Sequence, residues 1–232
     1  MTDTATEGNR FAFQVPVRLY GPNVITPKAA DYGGGKMGAV EYSVNLFFPP
    51  SHPEAKAFGV KLAQVKDRQF GSGAKGVALP FRMGDAWADA WAKKHHKEIA
   101  EGKKNPRDFA RGMVMVKASS KNFPPMLSYV NNGQLVDIPE EARVAAGGKF
   151  YSGVEAFVEI NLVPYAGNGA EPPAVVIPDS VKAYLTKVCS LGRGERLGGG
   201  SSASTFGNAV RSLGTVSDDD PTDGTGSKEI PF

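Results

Sequence analysis

Aromatic rings and cations keep company along this sequence, and that pairing is the first chemistry it offers. Tyr32 lies near Lys36 in a glycine-rich stretch, and Lys117 and Lys121 precede Phe123 and Tyr129. Lys149 adjoins Phe150 and Tyr151, and Tyr165 closes a long apolar run. Single-stranded nucleic acid needs both partners: cations follow the phosphates, and flat rings accept unstacked bases at about 1–3 kcal/mol per stack. Any β protein also carries Phe and Tyr on its sheets, half of them in the core. Composition alone therefore leaves each ring open between packing and stacking.

The spacings that other chemistries need are missing. GSGAKG (Gly71 to Gly76) lacks the Gly-Lys-Ser/Thr that holds phosphate and magnesium. His95 and His96 are adjacent, so on a helix they point in different directions and do not easily share one ion. Asp85 and Asp89 suit a helix start better than an acid pair, and no nucleophile sits in an elbow. Cys189 is the sole cysteine, which leaves no disulfide framework or cysteine-based metal site and fits a reducing cytoplasm. The residues assign no catalytic group, metal or cofactor, and the expectation is a binding protein rather than an enzyme.

The elements that must position these rings read mostly as strands. Phe11 to Ile25 is rich in aromatic and branched residues, with Pro16 and Gly21-Pro22 making its middle irregular. After the glycine loop Asp31 to Lys36, Tyr42, Val44, Leu46 and Phe48 alternate with Glu41, Ser43, Asn45 and Phe47, the period of a half-buried strand. Ser51 as cap and Glu54 three residues later open a helix with one stripe at Phe58, Leu62 and Val65. A second helix is expected from Asp85 to Glu101, with Trp87, Trp91, His95 and Ile99 on one face, so the two tryptophans read as packing residues.

Strands resume at Gly112 to Ser120. Asn131-Asn132-Gly133 between apolar runs signals a hairpin, and Pro139 to Ala146 a short helical connection. Lys149 to Tyr165 is the longest strand pattern, with Val154, Ala156, Val158 and Ile160 on one face and a bend at Gly153. Ala174 to Ile177 and Val181 to Leu191 complete a set of about six strands, antiparallel by their short connections. The fold class is mainly β with α insertions: an OB-type antiparallel β-barrel with a helical insertion at about residues 52–101.

At 232 residues, 41% hydrophobic and 22% charged, the chain holds one substantial core with extensions. Residues 1–10 read as a disordered N-terminus, 11–191 as the barrel domain, 192–216 as a Gly/Ser-rich linker and 217–232 as an acidic tail. The N-terminus is no signal peptide, and no run reaches the roughly 20 apolar residues of a membrane span. The tail is SDDDPTDGTGSKEIPF. Asp218, Asp219, Asp220, Asp223 and Glu229 against Lys228 give it a formal charge of −4, which leaves +7 on residues 1–216 out of a total of +3. Its polar, proline-broken composition predicts disorder. Its end, Ile230, Pro231 and Phe232, is an apolar tip on a charged tether, suited to an apolar groove with a basic neighbour on another protein.

That tail resembles those of bacterial single-stranded DNA-binding proteins and of tailed-phage DNA-binding proteins. Tyr151-Ser-Gly-Val-Glu through Leu162-Val-Pro-Tyr165, the Ala174 to Leu191 segment, the Gly-Gly-Gly linker and the earlier Leu79-Pro-Phe-Arg-Met-Gly-Asp85 are similar to the tailed-phage group. The resemblance implies an OB barrel that binds single-stranded DNA without sequence preference and contacts replication and recombination proteins through its tail. It brings Arg82 to the strand-binding set and marks Tyr165 as a base-stacking residue. The expected function is a phage protein that coats single-stranded DNA in the host cytoplasm, as a monomer or weak homodimer. Its tail would compete for the basic groove until DNA displaces it. A phage structural or adaptor protein, and a strand-annealing or nucleic-acid enzyme, stand as alternatives.

Overall fold

The computed structural model describes residues 8–31, 37–169 and 177–197. The chain divides into two units, 1–198 and 199–232, and every described residue belongs to the first. Tyr32, Lys36, Ala174 to Val176 and the whole acidic tail lie outside the described residues.

Five strands close a barrel: β1 (Arg10–Asp31), β2 (Met37–Phe48), β4 (Val114–Ser120), β7 (Glu155–Tyr165) and β8 (Ser180–Ser190). Their ring order is β4-β2-β1-β7-β8, and β8 meets β4 again to complete it. Four of these pairings are antiparallel, as expected, but the closure is parallel, with Ala118 opposite Ala183 and Ser119 opposite Tyr184. The all-antiparallel expectation is corrected there for a topological reason. β4 and β8 are not joined by a hairpin, so no short connection dictates their direction. β5 (Met126–Asn131) also runs parallel to β8. β5 and β6 (Gln134–Ile138) form the expected hairpin, with Asn132 at φ 48° and Gly133 at φ 78°, the pair of left-handed residues of a type I′ turn.

With the three-residue β3 (Phe81–Met83) the described strands number eight rather than about six. A strand that short shows no period in sequence. The longest strand is β1, at 22 residues, and not the β7 run, which begins only at Glu155.

The alternating residues point where their period said they would. Val44, Leu46, Phe48, Val116, Ala118, Ala156, Val158, Ile160, Leu162, Val181, Ala183 and Leu185 are all buried in one core. Helix α1 (Ala55–Phe70) covers it with Phe58, Leu62 and Val65. This helix starts later than the Ser51 cap implied, with Glu54 as the flanking residue. The Glu54 carboxylate instead accepts hydrogen bonds from the backbone N–H groups of Gln14 (3.0 Å) and Val15 (2.9 Å). There β1 slips register between Phe13 and Val17, and the freed donors need an acceptor.

The single helix expected over Asp85 to Glu101 is two, α2 (Gly84–Lys94) and α3 (His96–Ala100), broken at His95. The His95 ring stacks on Trp91, with centroids 4.3 Å apart. Trp87 packs, as expected, with Phe47, Ala110 and Met115 in a small second core on the outside of β2 and β4. Gly84 permits that approach, since a Cβ there would lie 2.0 Å from the Ala110 carbonyl oxygen. Among the described residues no helix is long and apolar enough to cross a membrane.

Candidate nucleic-acid interface

β4 and β8 touch at only two residue pairs and then part, and the segment Ala78–Met83 fills the gap between them. Its start bonds to β8, through Ala78 N–H to Asp179 O and Val181 N–H to Ala78 O, both 2.8 Å. Its end bonds to β4, through Lys117 N–H to Pro80 O (2.9 Å) and the β3–β4 register Phe81↔Val116, Arg82↔Met115. The result is a groove of about 620 Å³ along the barrel wall, lined among others by Arg82, Lys117, Lys121, Tyr165, Lys182 and Tyr184.

Strand alternation supplies its side chains. On β8, Val181, Ala183 and Leu185 enter the core, so Lys182 and Tyr184 face out. On β4, Val116, Ala118 and Ser120 are buried while Lys117 is exposed. Tyr165 ends β7 opposite Ser180, and its hydroxyl bonds that of Tyr184. The two rings stack with centroids 6.3 Å apart, and Lys182 Nζ lies 4.7 Å from the Tyr165 ring centre. Tyr165 remains 36% exposed. Burial of the rest of the side chain, and then the Tyr184 hydrogen bond, push its phenol up to about 12, so it is neutral at any working pH.

Four cations therefore line the groove against one carboxylate, Glu41, which binds Lys117 Nζ at 3.0 Å. Arg82, Lys121 and Lys182 make no ion pair among the described residues. Cations for phosphates beside neutral, partly open rings for bases are the two components a single strand requires.

Of the nine strand-binding residues singled out in sequence, Arg82, Lys117, Lys121 and Tyr165 converge here. Phe123 stands just past Lys121, 77% exposed, with its carbonyl held by the Ser120 hydroxyl. Tyr129 and Tyr151 lie outside the groove, half-buried against the core. Lys149 Nζ is 5.2 Å from the Tyr129 ring centre, and the Tyr151 hydroxyl donates to Gly194 O at 3.0 Å. Tyr32 and Lys36 fall outside the described residues. Phe81, Lys182 and Tyr184 were not singled out. The alternation of residues 181–185 carried the signal for the latter two, since it puts a lysine and a tyrosine on one outward face.

Among the described residues no cluster of His, Cys, Asp or Glu is placed to hold a metal ion.

A closed five-stranded barrel in this ring order, antiparallel except where β4 meets β8, is of the OB class, here with helices inserted after its second strand. The chain belongs to the family described as Enterobacter phage Enc34, ssDNA-binding protein, which it matches over residues 13–219. Among solved structures it is similar to the single-stranded DNA-binding protein from bacteriophage Enc34 in complex with ssDNA. That likeness has 16% identity, covers 84% of this chain and 91% of that one, and has a TM-score of 0.55. A C-terminal truncation of the same phage protein gives 17% identity, 82% and 90% coverage and a TM-score of 0.55. The T7 phage protein gp2.5, a single-stranded DNA-binding protein, stands at 15% identity, 93% and 98% coverage and a TM-score of 0.48. No curated protein matches the chain by sequence.

Proposed function

We propose that this chain coats single-stranded DNA without sequence preference, in phage replication or recombination within the host cytoplasm. The strand would run along the groove between β3, β4 and β8. The observation that carries this reading is Tyr165 and Tyr184 stacked beside Lys182 and Lys121, two cations without an acidic partner. Lys117 and Arg82 extend the phosphate track, and Phe123 offers a further exposed ring at its end. Family membership supports the same reading.

Binding of labelled oligo-dT and of duplex, each over a salt series, tests it. Single strands should bind more tightly than duplex. The plot of log K against log salt should have a slope of about −2 to −3, corresponding to three or four phosphates. Equal binding of both forms, or a flat salt response, removes the proposal.

The acidic tail is proposed as the hook for replication or recombination proteins, with Phe232, Pro231 and Ile230 entering the partner's pocket. Deleting Ser217–Phe232 should abolish capture of such a partner without any loss of oligo-dT binding. Removal of the tail's −4 should tighten strand binding at low salt. Weaker strand binding after the deletion would count against a tail that opposes DNA.

A further inference from the structure

A second arginine, Arg107, lies near Arg82 at the α2 side of the groove. Arg107 precedes the short helix Asp108–Ala110, on a loop pinned by Asn105. The Asn105 side chain accepts from Arg107 N–H (2.9 Å) and donates to Ala88 O (3.0 Å). The Arg107 guanidinium lies 4.3 Å over the Trp87 ring and reaches the Trp87 carbonyl at 3.4 Å. Trp87 in turn packs on Met115, the residue opposite Arg82 in the β3–β4 pairing. Two arginines from different elements thus flank one small core.

Their neighbours make them unusual. Three carboxylates are close in the chain, and all are engaged elsewhere. Asp89 (2.8 Å) and Asp108 (3.0 Å) both bind Arg111, and Asp85 accepts the Gly112 N–H at 3.1 Å. Arg82 and Arg107 have no ion pair among the described residues. Partial burial lowers the pKa of each, and the like charge of Arg107 lowers that of Arg82 further, so Arg82 lies near a second cation with no carboxylate paired to either. Such an arrangement costs free energy in the free protein, and an anion shared between the two offsets it. Trp87 is buried, so this place offers charge and no open ring for a base.

We propose that Arg82 and Arg107 together hold one backbone phosphate of the bound strand, which carries the DNA path out of the groove and over the start of α2. The inference rests on the strand-binding reading above. A guanidinium fork matches two phosphate oxygens, which an ammonium does not, so the site is one for a phosphodiester.

The test uses the full chain and labelled oligo-dT over a salt series. Arg107→Gln should weaken binding about five- to tenfold at low salt and flatten the slope by about 0.7, the share of one phosphate on a single strand. Arg107→Lys should keep the slope and recover part of the affinity. Lys182→Gln, in the groove, reports separately on the underlying reading. If it flattens the slope while Arg107→Gln changes nothing, the clamp is wrong and the groove stands. If the unaltered chain shows no preference for oligo-dT, the strand-binding reading itself is lost. A second measurement avoids changing Arg107 at all. In Trp91→Phe protein, Trp87 is the sole tryptophan, and saturating oligo-dT should change its emission. Unchanged emission, or a change with inorganic phosphate and none with oligo-dT, overturns the proposal.

Discussion

Tyr151 and Tyr165 each sit under a cation, yet their surroundings differ. At Tyr151 the Arg196 guanidinium is 4.3 Å from the ring, the hydroxyl bonds Gly194 O, and the ring packs on the core. Around it Arg193 pairs with Glu155, Leu197 N–H bonds Ser152 O, and Arg18 reaches Glu195 O. The cluster straps residues 191–197 to β1 and β7, with Arg18, Arg193 and the Tyr151 hydroxyl all bonded within the protein. At Tyr165 the cation is Lys182, which has no acid, and the hydroxyl meets only another tyrosine. The rings differ in what is left over: Tyr151 spends its hydroxyl on the backbone and its body on the core, while Tyr165 stays partly open to the groove.

The sharpest way to break the strap is Gly153→Ala. Gly153 has φ 104°, and a Cβ there would stand 1.8 Å from the Glu195 carbonyl oxygen, so both the backbone and the crossing segment must move. Urea unfolding should show a loss of about 4 kcal/mol, at the upper end for a single substitution. Oligo-dT affinity per folded molecule should be unchanged, because no groove residue is touched. A large affinity loss in the folded fraction would mean the strap and the groove are one device.

Tyr165→Ala should do the reverse. Loss of one base-stacking ring predicts an affinity fall of about 1–3 kcal/mol, roughly ten- to a hundredfold, with little change in the urea midpoint. Tyr151→Phe, which removes the hydroxyl bond to Gly194, should lower stability by about 1 kcal/mol and leave affinity alone. Should both variants lose affinity equally, the contrast between the two rings disappears.

The Tyr165 phenol gives a second handle. Its pKa lies at about 12 in the folded chain against an ordinary 10.0. A raised value means the folded state holds the proton more tightly, so this contribution to stability is whole below pH 10 and fades as pH climbs toward 12. Titration of phenolate absorbance should show a late-ionising tyrosine, and Tyr184→Phe should bring that step down toward lower pH.

What was legible in the sequence was local. Phe58, Leu62 and Val65 needed only helical spacing, Val154 to Ile160 only alternation, and Asn132-Gly133 only the turn chemistry of adjacent residues. The parallel closure of β4 on β8 was not legible, because Ala118 meets Ala183 across an intervening hairpin and β7. Glu54 was read as part of a cap, since nothing near it announces that β1 slips register some 40 residues earlier and leaves two N–H groups without partners. The site divided along the same line. Arg82, Lys117, Lys121 and Tyr165 were singled out one by one and the fold gathers them in one groove, but no local pattern separates Tyr165 from Tyr151. That distinction belongs to Gly194 and Glu195 crossing Gly153, a contact made only in the fold.

The smallest expected effect bears on the one groove cation that resembles the strap in being paired. Lys117 is held by Glu41 at 3.0 Å, and Glu41 is nearly buried while Lys117 is half open. If the groove works through unpaired charge, Glu41→Gln frees Lys117 for a phosphate. Oligo-dT binding should then tighten a few-fold at low salt, the salt slope should steepen by about 0.7, and the gain should vanish at high salt. Lys117 keeps about half its side chain in water and stays solvated when the pair is lost, so stability should fall by only about 1 kcal/mol. A loss of affinity would show that Glu41 orients Lys117 toward the strand. The groove would then owe part of its action to the same internal pairing that fixes the strap, and the division between the two regions would be one of degree.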